Sequence, residues 1–280
     1  MYHVNWGESL AMEKKTTALT QGAILSAIYI ILLIIVAYVP FINVVVLFFL
    51  PVPFIIHVYK QGLKAGVLIG LAALFLTPLF TPLVTIMLTF FAVTVGLAIG
   101  YFFVQKKGAF TPIIAAIITY IGNYLVIFLL AYLLFDLNLV NAVQQMMEES
   151  FTLTEQTAQF LNLPLDDQGL SQFKETLALI PVIFPALLIM SSIVMGFLHY
   201  LVSKPILNRV GCPVDDLPPF REWTLPKSLL FYYLGTLILL MVGLAEESTL
   251  FMLVAKLHPV LEMLLFIHGL SVLSYFAHCQ

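Results

Sequence analysis

The side chains best placed to do chemistry in this sequence are uncharged, and they recur at helical spacing. Thr85 and Thr89 lie four residues apart, as do Thr119 and Asn123, and Tyr120 and Tyr124; Ser191 and Ser192 are adjacent, and each group falls inside an apolar run. Residues four apart share a helix face, so these hydroxyls and this amide are displayed together. Such groups can orient a small neutral or weakly polar ligand in an otherwise apolar pocket. The candidate ligand-binding set is Asn43, Thr85, Thr89, Thr119, Asn123, Tyr124 and Ser192. The same groups could instead join helix to helix, at roughly 1 kcal/mol per hydrogen bond, and Asn123 carries the strongest case for binding because a full amide sits there.

Catalytic and metal chemistry find little support. Glu262 lies within an apolar window, about one turn from its end, where it can snorkel or meet His258 at i−4. His57, His199, His268 and His278 fall in or at the ends of different apolar runs, with no HExxH pattern. Glu246, Glu247, His258 and Glu262 converge on one end of the last two windows and could attract a cation, although a solvated rim explains them as well. Cys212 and Cys279 are far apart and follow no CxxC or Cys/His cadence. No metal, no cofactor and no enzyme activity are expected. The sequence also lacks GxxxxGK[ST], so any ATP-driven step must come from another subunit.

These side chains are carried by a chain of 280 residues with 61% hydrophobic and 10% charged residues, where a soluble domain holds about 25% charged. The composition is that of an integral membrane protein in a lipid bilayer. A net charge of −3 without a basic stripe argues against nucleic acid. A spanning helix needs about 20 apolar residues, and the qualifying windows are 18–39, 41–59, 63–80, 83–104, 112–135, 179–202, 228–245 and 257–277. The fold class is therefore all-α, a polytopic bundle of about eight transmembrane helices, the second and seventh short. The first window follows Lys14 and Lys15, is longer than a signal-peptide core and has no A-x-A site, so it is read as a retained span.

Orientation follows from Lys and Arg, which cytoplasmic loops hold in excess. Lys14, Lys15, Lys60, Lys64, Lys106, Lys107, Lys204, Arg209, Arg221 and Lys227 share one side, and only Lys174 and Lys256 take the other. Both termini are expected in the cytoplasm of a bacterial cell, with the chain in its inner membrane. Residues 1–17 form a cytoplasmic segment. The outer loop 136–178 holds seven acids against one Lys, and its stretch 139–163 has apolar residues at helical spacing, which predicts amphipathic helices on the membrane or capping the bundle. The inner segment 203–227 has five prolines and reads as a linker between the core 18–202 and a C-terminal helix pair, 228–280. The chain ends at Gln280, barely past the last window, which leaves room for a further C-terminal piece.

Small residues recur at four-residue spacing: Gly22-x-x-x-Ser26 interleaved with Ala23-x-x-x-Ala27, then Gly62, Gly66 and Gly70, then Gly96 and Gly100. Such stripes let helix backbones approach closely, internally or against another protein. That first helix, the loop at 40–43, a short second helix ending LPVPFIIHVYKQGLKAGVLIGL, and a fourth closing with VGLAIGYFF together resemble the substrate-binding (S) components of energy-coupling factor (ECF) transporters. Over its whole length the chain resembles the YybS-like family of predicted bacterial membrane proteins, through the acidic outer loop and the inner segment VDDLPPFREWTLPKSLLFYYLG. The resemblance implies a six-helix S-component-like core extended by a C-terminal pair. It also implies that Ala23 and Ala27 are where a coupling transmembrane subunit, served by separate ATPases, would dock. The extra helices and the lack of a vitamin-pocket motif depart from that pattern.

Two functions fit these observations. One is a substrate-binding or transport component for a small or lipid-like molecule, with no ATPase of its own. The alternative is a membrane scaffold or regulator that recruits partner proteins and moves no ligand.

Overall fold

The computed structural model describes residues 6–161, 167–242 and 248–278, and these are helical apart from turns and short connections. The helices are α1 (Trp6–Tyr38), α2 (Ile42–Leu47), α3 (Val52–Gln61), α4 (Leu63–Phe80), α5 (Thr85–Gln105), α6 (Phe110–Phe135), α7 (Leu139–Phe160), α8 (Asp167–Arg209), α9 (Ser228–Met241) and α10 (Thr249–His278), with a 3-10 turn at Phe220–Glu222. Seven stretches are long and apolar enough to cross a membrane, and Ser228–Met241 is a shorter apolar helix. The protein is a polytopic membrane helix bundle.

The second window is broken where its sequence requires it. Neither Pro51 nor Pro53 can donate a backbone hydrogen bond. Between α2 and α3 the chain instead passes through three-residue turns, Phe48 N to Val45 O, Phe49 N to Val46 O and Leu50 N to Leu47 O. Pro51 then caps α3, with Pro53 in its first turn, the position where a missing N–H costs least. The ten-residue α3 that follows is deeply enclosed: Val52 through Val58 are all buried. Gly62, at φ 86, makes the reversal into α4 that a Cβ would strain.

The glycine stripes hold this arrangement together. A Cβ on Gly100 would lie 2.8 Å from Val58 Cβ and 3.0 Å from Ile55 O, and one on Gly96 would lie 2.8 Å from Pro51 O. One on Gly70 would meet Val93 Cγ1 at 2.5 Å, and one on Gly66 would meet Val58 Cγ2. These glycines are internal packing surfaces, joining α3, α4 and α5. Around them lies a core that includes Tyr29, Leu33, Leu50, Phe54, Ala73 and Val93.

The chain divides into two compact units, Met1–Tyr120 with Ser192–Leu217, and Ile121–Ser191 with Pro218–Gln280. In the first, the cytoplasm-assigned segment after α8 is pinned down: Tyr59 donates to Pro213 O at 2.8 Å, Tyr200 to Asp215 O at 2.7 Å, and Lys204 pairs with Asp216. In the second, Tyr233 stacks on His258 at 5.0 Å between centroids. There Ser271 of α10 also bonds the carbonyls of Phe220 and Trp223 at 2.7 and 2.9 Å, folding LPPFREW onto the helix. Within the acidic stretch Leu139–Phe160 form an amphipathic helix, α7, with no buried residue. The last two long helices begin earlier than their apolar windows, α8 at Asp167 and α10 at Thr249, because helix formation does not require apolarity.

Candidate functional site

The threonine positions become a network. Thr77 of α4 lies 2.8 Å from Thr89 of α5, Thr81 lies 2.7 Å from Thr85, and Tyr29 of α1 donates to Thr89 Oγ1 at 2.7 Å. Thr85 and Thr89 are 6% and 0% exposed, so these two predicted residues sit at a hydrogen-bonded junction of three helices. Tyr29, Thr77 and Thr81 complete it. Thr77 and Thr81 show the same four-residue spacing in the sequence; Tyr29, on another helix, offers no comparable signal.

The other predicted residues have partners of their own. Thr119 donates to Ala115 O at 2.7 Å, Tyr124 lies 3.2 Å from Ser191 Oγ, and Asn43, in α2 rather than in the preceding loop, accepts from Val44 N at 2.8 Å. Asn123 and Ser192 are buried and engaged. Of the cation-attracting rim, Glu246 and Glu247 lie outside the described residues. His258 is bound by Thr236 at 2.9 Å. Among the described residues no group of three or more His, Cys, Asp or Glu comes together.

A prominent concave feature lies elsewhere. A groove of about 920 Å³ runs between α1 and α4, from Ala18 to Ile34 on one wall and from Ala65 to Phe80 on the other, with His57 of α3 in its floor. That volume falls within the roughly 300–1,000 Å³ usual for ligand clefts. Among the described residues its lining is apolar but for Ser26 and His57, and holds no Asp, Glu, Lys or Arg.

The two interleaved stripes of α1 part company here. Gly22 and Ser26 are buried, facing α3 and α4, whereas Ala23 and Ala27 are exposed on the groove's wall. Gly22 is required by its close neighbours, since a Cβ there would lie 2.9 Å from Ile69 Cγ2 and 3.3 Å from His57 Cε1. The docking candidates Ala23 and Ala27 therefore line the groove, and the ligand candidates do not. A smaller groove of about 490 Å³ occupies the other flank of α1, bounded by α3 and the end of α8, with Gln21 and Lys60 as its polar lining.

The family described as Predicted membrane protein (DUF2232) matches residues 27–280, which include all but the first part of α1. "Uncharacterized protein YybS" of Bacillus subtilis (strain 168) is 30% identical over 269 residues, 95% of this chain and 86% of that protein. No solved structure matches the chain.

Proposed function

This chain belongs to the DUF2232 family of predicted membrane proteins, to which YybS is similar, and on that premise we propose that it is a substrate-binding component of a bacterial inner-membrane transport system. In this reading it takes a small or lipid-like molecule into the α1–α4 groove and passes it to, or moves with, a partner. It catalyses no reaction and has no ATPase of its own. The observation that carries the reading is the exposure of Ala23 and Ala27 along an open apolar groove, while their stripe-mates Gly22 and Ser26 are turned inward. Exposed small side chains on a membrane-spanning helix let another helix approach to backbone distance. The resemblance to ECF substrate-binding components puts a coupling transmembrane subunit there, with separate ATPases supplying energy. The Lys and Arg distribution supports cytoplasmic termini, and so ATPases on that side.

The test is recovery of partners by the tagged full chain from native membranes. Wild type is expected to bring down a transmembrane chain together with an ATPase, and Ala23→Leu and Ala27→Leu to lose both while keeping the wild-type elution profile. Undiminished recovery by both variants sinks the reading.

A scaffold role draws on a different observation, the ordered segment at 210–217 held by Tyr59, Tyr200 and Lys204. Partners kept by the alanine variants but lost when residues 213–216 are replaced would favour it.

A further inference from the structure

Buried polar side chains in this protein are nearly all satisfied. Ten of them, Thr77, Thr81, Thr85, Thr89, Asn123, Ser192, His199, Ser203, Thr236 and Ser271, are engaged within the chain. Among the described residues three buried side-chain atoms have no partner, His57 Nδ1, Gln105 Oε1 and His268 Nδ1; of these only His57, 2% exposed, belongs to the α1–α4 groove, where Ser26, 7% exposed, also makes no hydrogen bond. Both line the α1–α4 groove, and among the described residues they are its polar lining. A buried polar group without a partner carries the desolvation penalty of its lost hydrogen bonds, and in lipid no water offsets it. Ser26 does not even make the bond to its i−4 carbonyl that Thr77, Thr81 and Thr89 each make. Gly22, one turn before Ser26 on α1, abuts the imidazole of α3, so His57 lies beside the turn of α1 next to Ser26.

We propose that this groove binds a neutral, single-tailed amphiphile whose hydroxyl is held by Ser26 and His57 and whose hydrocarbon tail lies between α1 and α4. The groove's polarity selects each part. A serine hydroxyl donates and accepts, and a neutral imidazole offers one donor and one acceptor, which together match an alcohol. Among the described residues the lining holds no Asp, Glu, Lys or Arg, so a charged head finds no partner there. The α1 wall, Ala18 to Ile34, is about 24 Å long at 1.5 Å per residue, and the remaining lining is apolar, so an extended tail is accommodated along it. A partner helix arrives with its backbone hydrogen bonds already made and leaves the pair unsatisfied unless it happens to bring a polar side chain there. This inference deepens the capture reading above and shares its groove.

The probes are three long-chain molecules carrying the same mid-chain photoreactive diazirine: an octadecanol, the corresponding octadecane, and the octadecanoate. Each is mixed with the full-length protein in phosphatidylcholine nanodiscs, irradiated, and the labelled residues are read by mass spectrometry. The alcohol is expected to label groove residues of α1 and α4 about tenfold more than the hydrocarbon, the factor equivalent to 1.4 kcal/mol, with the carboxylate no better than the hydrocarbon. Ser26→Ala and His57→Leu should each lower alcohol labelling toward the hydrocarbon level. Leu76→Trp, which fills the groove from the α4 wall one turn further along, should abolish groove labelling by all three. Because Ser26→Ala removes one oxygen, it keeps the test decisive if His57→Leu fails to fold. Equal labelling by the three probes, preference for the carboxylate, or alcohol labelling indifferent to Ser26→Ala overturns the proposal. So does a partner chain that cross-links to positions 26 and 57 themselves, rather than to Ala23 and Ala27, and excludes every probe in native membranes. Loss of the alcohol preference alongside partner recovery that still depends on Ala23 and Ala27 would sink this inference alone, and the reverse result would sink only the hand-over to a partner.

Discussion

The phenol of Tyr29 donates to Thr89 Oγ1 at 2.7 Å across sixty residues of sequence, tying α1 to α5. Tyr29 is fully buried and its ring packs on Phe54, centroids 4.8 Å apart. Tyr29→Phe keeps that packing and removes only the donor. It is expected to lower unfolding stability in mixed micelles by about 1 kcal/mol, and Tyr29→Ala by about 3–5 kcal/mol because the ring's volume is lost as well. A phenylalanine variant as stable as wild type would show that the junction is held by Thr77 and Thr89 alone.

Glycines on the stripes and glycines elsewhere in the helices should respond oppositely to alanine. At Gly96 and Gly100 the new methyl meets backbone carbonyls, Pro51 O at 2.8 Å and Ile55 O at 3.0 Å, and neither can swing aside. Gly96→Ala and Gly100→Ala should each cost about 1–3 kcal/mol. Gly122 and Gly235, within α6 and α9, have nothing within 4 Å of an added Cβ. Gly122→Ala and Gly235→Ala should leave stability unchanged or raise it by up to about 1 kcal/mol. Thermal unfolding of the four variants in one detergent decides the matter, and equal losses at all four would refute the close-packing role.

Much of the fold was legible because lipid imposes a simple rule: an apolar run of about 20 residues becomes a helix. The proline pair at 51 and 53 announced the broken second span, and the glycine spacing announced close packing. Helix starts were less legible, since Asp167–Leu179 and Thr249–Leu257 are helical without being continuously apolar. The candidate site was legible only in parts. Ser26 showed as one member of a small-residue stripe and His57 as one of several scattered histidines. Their meeting depends on how α3 threads beside α1, which is a tertiary fact with no local signal. Thr85 and Thr89 were visible as a shared face, but sequence spacing does not distinguish a ligand from Thr77 as the partner of that face.

Cys212 provides a probe of the pinned segment after α8. It is 1% exposed, and burial pushes its thiol above the usual range, with the Lys60 ammonium opposing weakly. Since the thiolate is the reactive form, maleimide labelling at pH 7 in a Cys279→Ser background should be at least about tenfold slower than for a cysteine at exposed Val210. Its rate should still be climbing above about pH 8.5, the ordinary thiol value. The folded state favours the protonated thiol, so this group's stabilising contribution is complete below the ordinary thiol pKa and is lost as pH rises through the raised one. Tyr59→Phe and Lys204→Ala, which loosen the segment, should speed labelling; rates unchanged in both would mean that these contacts do not protect the cysteine.

The charge distribution makes the membrane orientation testable at two positions. Ten of the twelve Lys and Arg residues share one side of the expected topology, while 136–178 holds seven acids and one Lys. Basic residues are retained on the cytoplasmic side far more strongly than acids are excluded from it. In a background of Cys212→Ser and Cys279→Ser, cysteines are placed at Ser150 in α7, which has no buried residue, and at Val210, which is 40% exposed. A membrane-impermeant maleimide on intact cells should label position 150 at once and position 210 only after permeabilisation. Since α8 ends at Arg209 and its candidate span runs from Leu179, the two cysteines are separated by one crossing of that helix. Labelling of both from outside would place the Lys60 end of α3 outward. The ATPase-bearing partner proposed for the Ala23 and Ala27 face would then have to approach from a compartment without ATP, so the transport reading and the topology stand or fall on the same measurement.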